Sequence, residues 1–151
     1  MLYAILAAAL VGLDQLVKVL VRLNIAEGGS VPFLPHILQL TYYQNTGAAF
    51  SIFEEHTWIL TLISAAASVL LIVLLAKKTF PHPFGMVSLA LVLAGAVGNL
   101  IDRLFLGYVT DMFQTLFMNF PIFNVADICI VCGGIAFCVY FLLFCKEEDK
   151  A

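Results

Sequence analysis

The stretch GNLIDRLFLGYVTDMF, residues 98–113, holds two aspartates and an arginine at the end of an uncharged run, and another aspartate follows at position 127. Ionised groups beside hydrocarbon are costly unless they are paired, hydrated or put to use. Two carboxylates brought together at a low-dielectric boundary cannot both ionise cheaply. One keeps a proton, so the pair holds an acid and a base at once. With Asp111 and Asp127 as that pair, the ionised member activates a water while the protonated member polarises a carbonyl. This is aspartic-peptidase chemistry, which needs no metal, no cofactor and no covalent nucleophile. Other chemistries find less support. His36, His56 and His82 are scattered, and no HExxH, GxSxG or P-loop pattern occurs. A magnesium ion held by Asp102, Asp111 and Asp127 is a metal-dependent alternative, of phosphatase or transferase type, with no characteristic spacing behind it. Sensitivity to chelators separates it from a metal-free peptidase.

The elements that must position these acids are membrane spans. Of 151 residues, 63% are apolar and 11% charged, where a soluble domain carries about a quarter charged. Residues 56–76, 79–101 and 128–145 contain no Asp, Glu, Lys or Arg, and about 20 residues cross a bilayer at 1.5 Å each. Four spans are expected, at about residues 2–21, 58–76, 84–104 and 125–145, in one integral membrane domain covering 1–151. The first is read as a span and not a cleaved signal peptide, because Asp14 and Lys18 interrupt it and no basic residue precedes it. Lys77, Lys78, Lys146 and Lys150 place the 77–84 loop and the termini in the cytoplasm. A chain that leaves the membrane after Asp102 and re-enters it before Asp127 does both on one side. Asp102, Arg103, Asp111 and Asp127 therefore share a membrane face in either orientation.

The outside segments carry their own signals. HILQLTYYQN, residues 36–45, reads as one or two short strands with a turn. FQTLFMNFPIF, residues 113–123, reads as an aromatic ledge at the interface. Asn99 and Arg103 share a helical face, with Asp102 flanking it, and Asn124 or Asp127 caps the fourth span. Asp14 and Lys18, one helical turn apart, are read as a structural pair, with Lys18 reaching toward the outer interface. Cys129, Cys132, Cys138 and Cys145 occupy no single stripe and read as packing residues. Nothing basic and aromatic suggests nucleic acid. A rival from another class is a small proton-coupled carrier with Asp14 and Asp102 as relay carboxylates. It requires deep acids in two helices, and only Asp14 lies deep.

Four blocks in order now carry a resemblance: DQLVK (14–18), NTGAAFS (45–51), GAVGNLIDRLFLGYVTD (95–111) and FNVADICI (123–130). The chain resembles the lipoprotein signal peptidases, signal peptidase II, of bacterial membranes. The resemblance implies cleavage on the N-terminal side of a diacylglyceryl-modified cysteine in prolipoproteins, at the outer face of the cytoplasmic membrane. It places the catalytic pair on Asp111 and Asp127 and the supporting residues on Asn45, Gly47, Asn99, Asp102, Arg103 and Asn124, with Asp14 and Lys18 as structural residues. It also implies a small extracytoplasmic β-cradle beside an all-α, four-helix membrane fold. The implied partners are diacylated prolipoproteins and membrane lipid, with the chain acting as a monomer and with no cofactor. One departure is local: Met112 stands directly after Asp111, where the family typically has Phe.

Overall fold

The computed structural model describes residues 1–47 and 57–144. Its frame is four helices, α1 (Leu2–Asn24), α2 (Thr57–Ala76), α3 (Pro83–Leu106) and α4 (Val125–Leu143), each long and apolar enough to cross a membrane. They fall on the four expected spans. α1 and α3 run on past the expected ends near 21 and 104, because their last turns still have packing partners outside. The expected end of the fourth span at Cys145 lies outside the described residues.

α3 is the central helix and packs against the other three. Its buried side is built from small residues, including Ala90, Ala94, Gly95, Ala96 and Gly98. A Cβ on Gly95 would collide with the Ala126 carbonyl of α4, and one on Gly98 would stand 2.7 Å from Asp14 Oδ2 of α1. Helices in lipid gain little from burying apolar surface against each other, so close backbone approach supplies the packing. Those two glycines therefore set how near the start of α4 and the carboxylate of Asp14 come to α3. His82 caps the start of α3, its ring nitrogen accepting from the Phe84 N–H at 3.2 Å, and Pro83 occupies the first turn. At the other end Gly107 adopts the left-handed conformation, φ 80°, which stops the helix and turns the chain into the next strand.

That strand completes a three-stranded antiparallel sheet in the order β1 (Ser30–Leu34), β2 (Leu38–Asn45), β3 (Val109–Thr115). β2 falls within residues 36–45 of the first outside segment, where strand was expected, whereas β1 lies before them, in the VPFLP stretch, and its backbone is paired with β2. β3 corrects the reading of the second: residues 113–115 of the expected ledge are strand, paired with β2 and bridged to Phe123 through Phe113. Pairing satisfies their backbone groups, which a ledge would leave to water. The remainder does expose apolar side chains, Leu116, Phe117, Met118 and Phe120.

Register decides what this sheet offers. A β-bulge between Leu40 and Tyr43 sets two residues of β2 against Met112. Leu40 pairs with Phe113, but beyond the bulge Tyr43 pairs with Asp111 and Asn45 with Val109. Because side chains alternate along a strand, the extra residue brings Tyr43 and Asn45 to the face that carries Asp111. Met112 points the other way. It is fully buried with Tyr42 against Val21 and Ile25 at the end of α1. The residue that departs from the family pattern thus serves to anchor the sheet on α1.

Candidate active site

Asp111 and Asp127 reach the site from different elements. Asp111 lies on β3, and Asp127 is the third residue of α4. Both line one cavity of about 640 Å³. Asn124 caps α4 in a reciprocal arrangement: its side chain accepts from the Asp127 N–H at 2.9 Å, and the Asp127 carboxylate accepts from the Asn124 N–H at 3.1 Å. The cap that starts the helix therefore also fixes the second carboxylate.

The two acids are joined by amides. Asn124 Nδ2 donates to Asp111 Oδ1 at 2.6 Å and to Asn99 Oδ1 at 3.1 Å. Asn99 Nδ2 donates to Asp127 Oδ1 at 2.8 Å. Asn45 closes the other side of Asp111, donating to Oδ2 at 2.8 Å, while its own oxygen accepts from the Gly47 N–H at 2.9 Å. Arg103 flanks the cavity and donates to the Gly47 carbonyl at 3.3 Å. Every expected support residue is thus accounted for within this shell except Asp102, which lies behind it. Residues 48–51 of the NTGAAFS block are outside the described residues.

Burial and charge act on Asp111. Asp111 is almost fully buried, and burial pushes its carboxyl up, with the neighbouring charge of Asp127 adding to the effect. The amides of Asn45 and Asn124 and the charge of Lys18 oppose this, leaving the group at about 7. Such an acid keeps its proton in a large fraction of molecules near neutral pH, which an ordinary carboxyl does not.

Behind the amides sits a buried charge cluster. Lys18 Nζ, fully buried, lies 3.0 Å from Asp14 Oδ2 and 3.2 Å from Asp102 Oδ2, and donates to Asn99 Oδ1 at 3.0 Å. The expectation that Lys18 reaches toward the interface is overturned. Two carboxylates and an amide oxygen inside the bundle give the ammonium a closer and better-matched shell than the headgroup region does. Its contact has a consequence for the site. Asn99 Oδ1 accepts from both Lys18 and Asn124, so the amide cannot turn over without setting donors against donors, and its NH2 stays on Asp127. Asp14 also accepts from the Ala126 N–H at 2.9 Å, which ties α1 to the start of α4. Asp102 accepts from the Thr110 N–H at 2.9 Å, which ties α3 to β3. With both oxygens engaged away from the cavity, Asp102 does not converge with Asp111 and Asp127 as the magnesium reading requires.

Three members of this cluster carry no expected role in the sequence. Gln15 donates to Asp14, the Gly98 carbonyl and Asp102 at 3.0–3.2 Å. Arg22 donates to Thr110 Oγ1 at 2.8 Å and stands 4.0 Å from Asp102. Gln15, a primary amide inside an apolar span, was the available signal. Nothing in the spacing marks Arg22 or Thr110. Cys129 is buried, as a packing residue is, but Cys132 and Cys138 are exposed on α4, which corrects their reading as packing residues: with no shared stripe they cannot all face the bundle, and Cys145 is outside the described residues.

Residues 6–143 match the family described as signal peptidase (SPase) II. The chain belongs to the signal peptidase II family. It is 48% identical to the lipoprotein signal peptidase of Enterococcus faecalis over 99% of this chain and 90% of that protein. It is 37% identical to the Clostridioides difficile lipoprotein signal peptidase, over 95% and 97% of the two chains. Among solved structures, it is similar to a bacterial membrane enzyme determined by the in meso method at 2.3 Å resolution. That similarity has a TM-score of 0.86 at 30% identity and covers 99% of this chain and 91% of the other. A multi-pass bacterial membrane protein of the signal peptidase II type is therefore the frame in which the polar shell acts.

Proposed function

We propose that this chain removes signal peptides from diacylated prolipoproteins, with Asp111 and Asp127 as its catalytic pair. The observation that carries the assignment is that one asparagine, Asn124, donates to both carboxylates at the wall of one cavity, to Asp111 from its side-chain amide and to Asp127 from its backbone N–H. Asp127, ionised and held by the Asn99 amide and the Asn124 N–H, takes a proton from the attacking water. Asp111, protonated, donates to the oxygen of the scissile carbonyl as that oxygen gains negative charge. When the tetrahedral intermediate collapses, Asp127 passes its proton to the departing amino group of the lipid-modified cysteine. Asp111 recovers its own proton as the carbonyl re-forms. Asn45 and Arg103, beside the pair, position the peptide.

The cavity runs from these polar groups down between α2, α3 and α4 to Leu71 and Val92. An apolar signal segment and its acyl chains fit that direction, so substrate affinity comes largely from lipid and signal helix. The site opens on the extracytoplasmic face, and a single copy of the chain, one integral membrane domain, supplies every group named. The test is turnover of a purified, diacylated prolipoprotein by Asp111→Asn and Asp127→Asn variants. Both fold and both lose turnover by orders of magnitude. Substantial cleavage by either variant overturns the pairing.

A further inference from the structure

The bulge in β2 places one more side chain on the face of the sheet that carries Asp111. Tyr43 is the direct cross-strand partner of Asp111, and Asn45, two residues on, bonds to the same carboxylate. Directly opposed residues in an antiparallel pair have Cβ atoms about 5 Å apart on one face of the sheet. The Tyr43 side chain therefore leaves the sheet on the face that carries Asp111, and it is 44% exposed, whereas Tyr42 is buried on the opposite face. An aromatic side chain with a polar tip, half-exposed beside a nearly fully buried acid, is placed to touch what that acid acts on.

Topology says which part of the substrate that is. The apolar limb of the cavity descends among the helices, and the sheet lies beyond the ends of α1 and α3. A signal segment occupies the helical side. The polypeptide on the far side of the scissile bond must leave over the sheet. Resting on the signal-peptidase reading above, we propose that Tyr43 is a specificity-determining residue that packs against the first mature residues after the lipid-modified cysteine.

The experiment compares two diacylated peptides cleaved by the wild type, Tyr43→Ala, Tyr43→Leu and Tyr43→Phe. One peptide continues for several residues past the modified cysteine, and the other ends there as an amide. Loss of an aromatic contact lowers kcat/KM for the long peptide about tenfold in Tyr43→Ala, mostly through KM. Tyr43→Leu, which keeps the bulk, shows a smaller loss of the same kind. The short peptide is cleaved within about twofold of wild type by every variant, and Tyr43→Phe matches wild type on both, as a ring contact requires. Equal losses on both peptides overturn the proposal, since they mark a role in holding the sheet. Unchanged cleavage of the long peptide overturns it too. A wild-type chain that cleaves neither peptide overturns the peptidase reading itself, and this inference with it.

Discussion

The most direct probe of the acid–base assignment is Asn45→Ala, read as a pH–rate profile. The Asn45 amide donates to Asp111 Oδ2 at 2.8 Å and so favours the ionised form of an acid that burial and the Asp127 charge have raised to about 7. Removing the donor raises that acid further. A hydrogen bond to a charged group is worth about 1.5–3 kcal/mol, but Asn45 is half-buried and water replaces part of it, leaving about 1 kcal/mol. At 1.36 kcal/mol per pH unit, the alkaline limb of kcat moves up by about 0.5–1 unit. The sign is the point. Asp111 works while protonated, so a raised carboxyl extends activity to higher pH, although the plateau falls where Asn45 also positions the peptide. The assay is cleavage of a fluorogenic diacylated peptide in detergent micelles from pH 5 to pH 9. An alkaline limb that stays put, or moves down, refutes Asp111 as the proton donor.

The same displaced acid makes a statement about stability. Asp111 ionises at 3.8 when unfolded and at about 7 when folded, so its contribution is fully present below 3.8 and is lost as pH rises through 7, costing about 4 kcal/mol in alkaline solution. Asp111→Asn removes that cost but gives one of the two donating amides no acceptor, so the inactive variant melts above wild type at pH 8 and loses the advantage near pH 4. Lys18→Met leaves Asp14 and Asp102 facing each other without their shared cation and destabilises by about 3–5 kcal/mol. Adding Asp14→Asn recovers part of the loss in thermal unfolding, and no recovery means the cluster is not held by charge. A cysteine at Thr79, in a background without the native cysteines, resists a membrane-impermeant thiol reagent in intact cells. Labelling from outside places the 77–84 loop on the extracytoplasmic side and the catalytic hairpin on the wrong face.

The two acids and the spans that carry them were legible because hydrocarbon penalises charge, so a charge that persists near it announces a purpose. Asp111, Asp127 and Arg103 stand out against uncharged runs, and the glycines of α3 suit a helix that others approach closely. The sheet was half legible. β2 shows its β-branched and aromatic residues, but β1 carries a proline that reads as a break, and residues 113–115 of β3 merge into an apolar run that reads equally well as an interfacial ledge. What spacing could not show was the bulge. Counting in twos from Leu40 brings Tyr42 and Gln44 to the face of Asp111, and one extra residue exchanges them for Tyr43 and Asn45. The resemblance picks out Asn45, while the register explains how it arrives there.

Lys18 shows why a local pair rule falls short inside a membrane. One helical turn from Asp14, it satisfies the rule and looks complete. Yet a single carboxylate leaves an ammonium with donors to spare, and in hydrocarbon a spare donor is expensive. The structure fills them with Asp102 and Asn99 of α3, and through Asn99 the arrangement reaches Asp127. The need for more acceptors can be inferred from the sequence; which helix supplies them cannot, because that depends on how near α3 comes. Gly98 sets that approach, with no room for a Cβ beside the Asp14 carboxylate. The residue that permits helix packing is thus also the one that lets the buried lysine reach the amide holding Asp127.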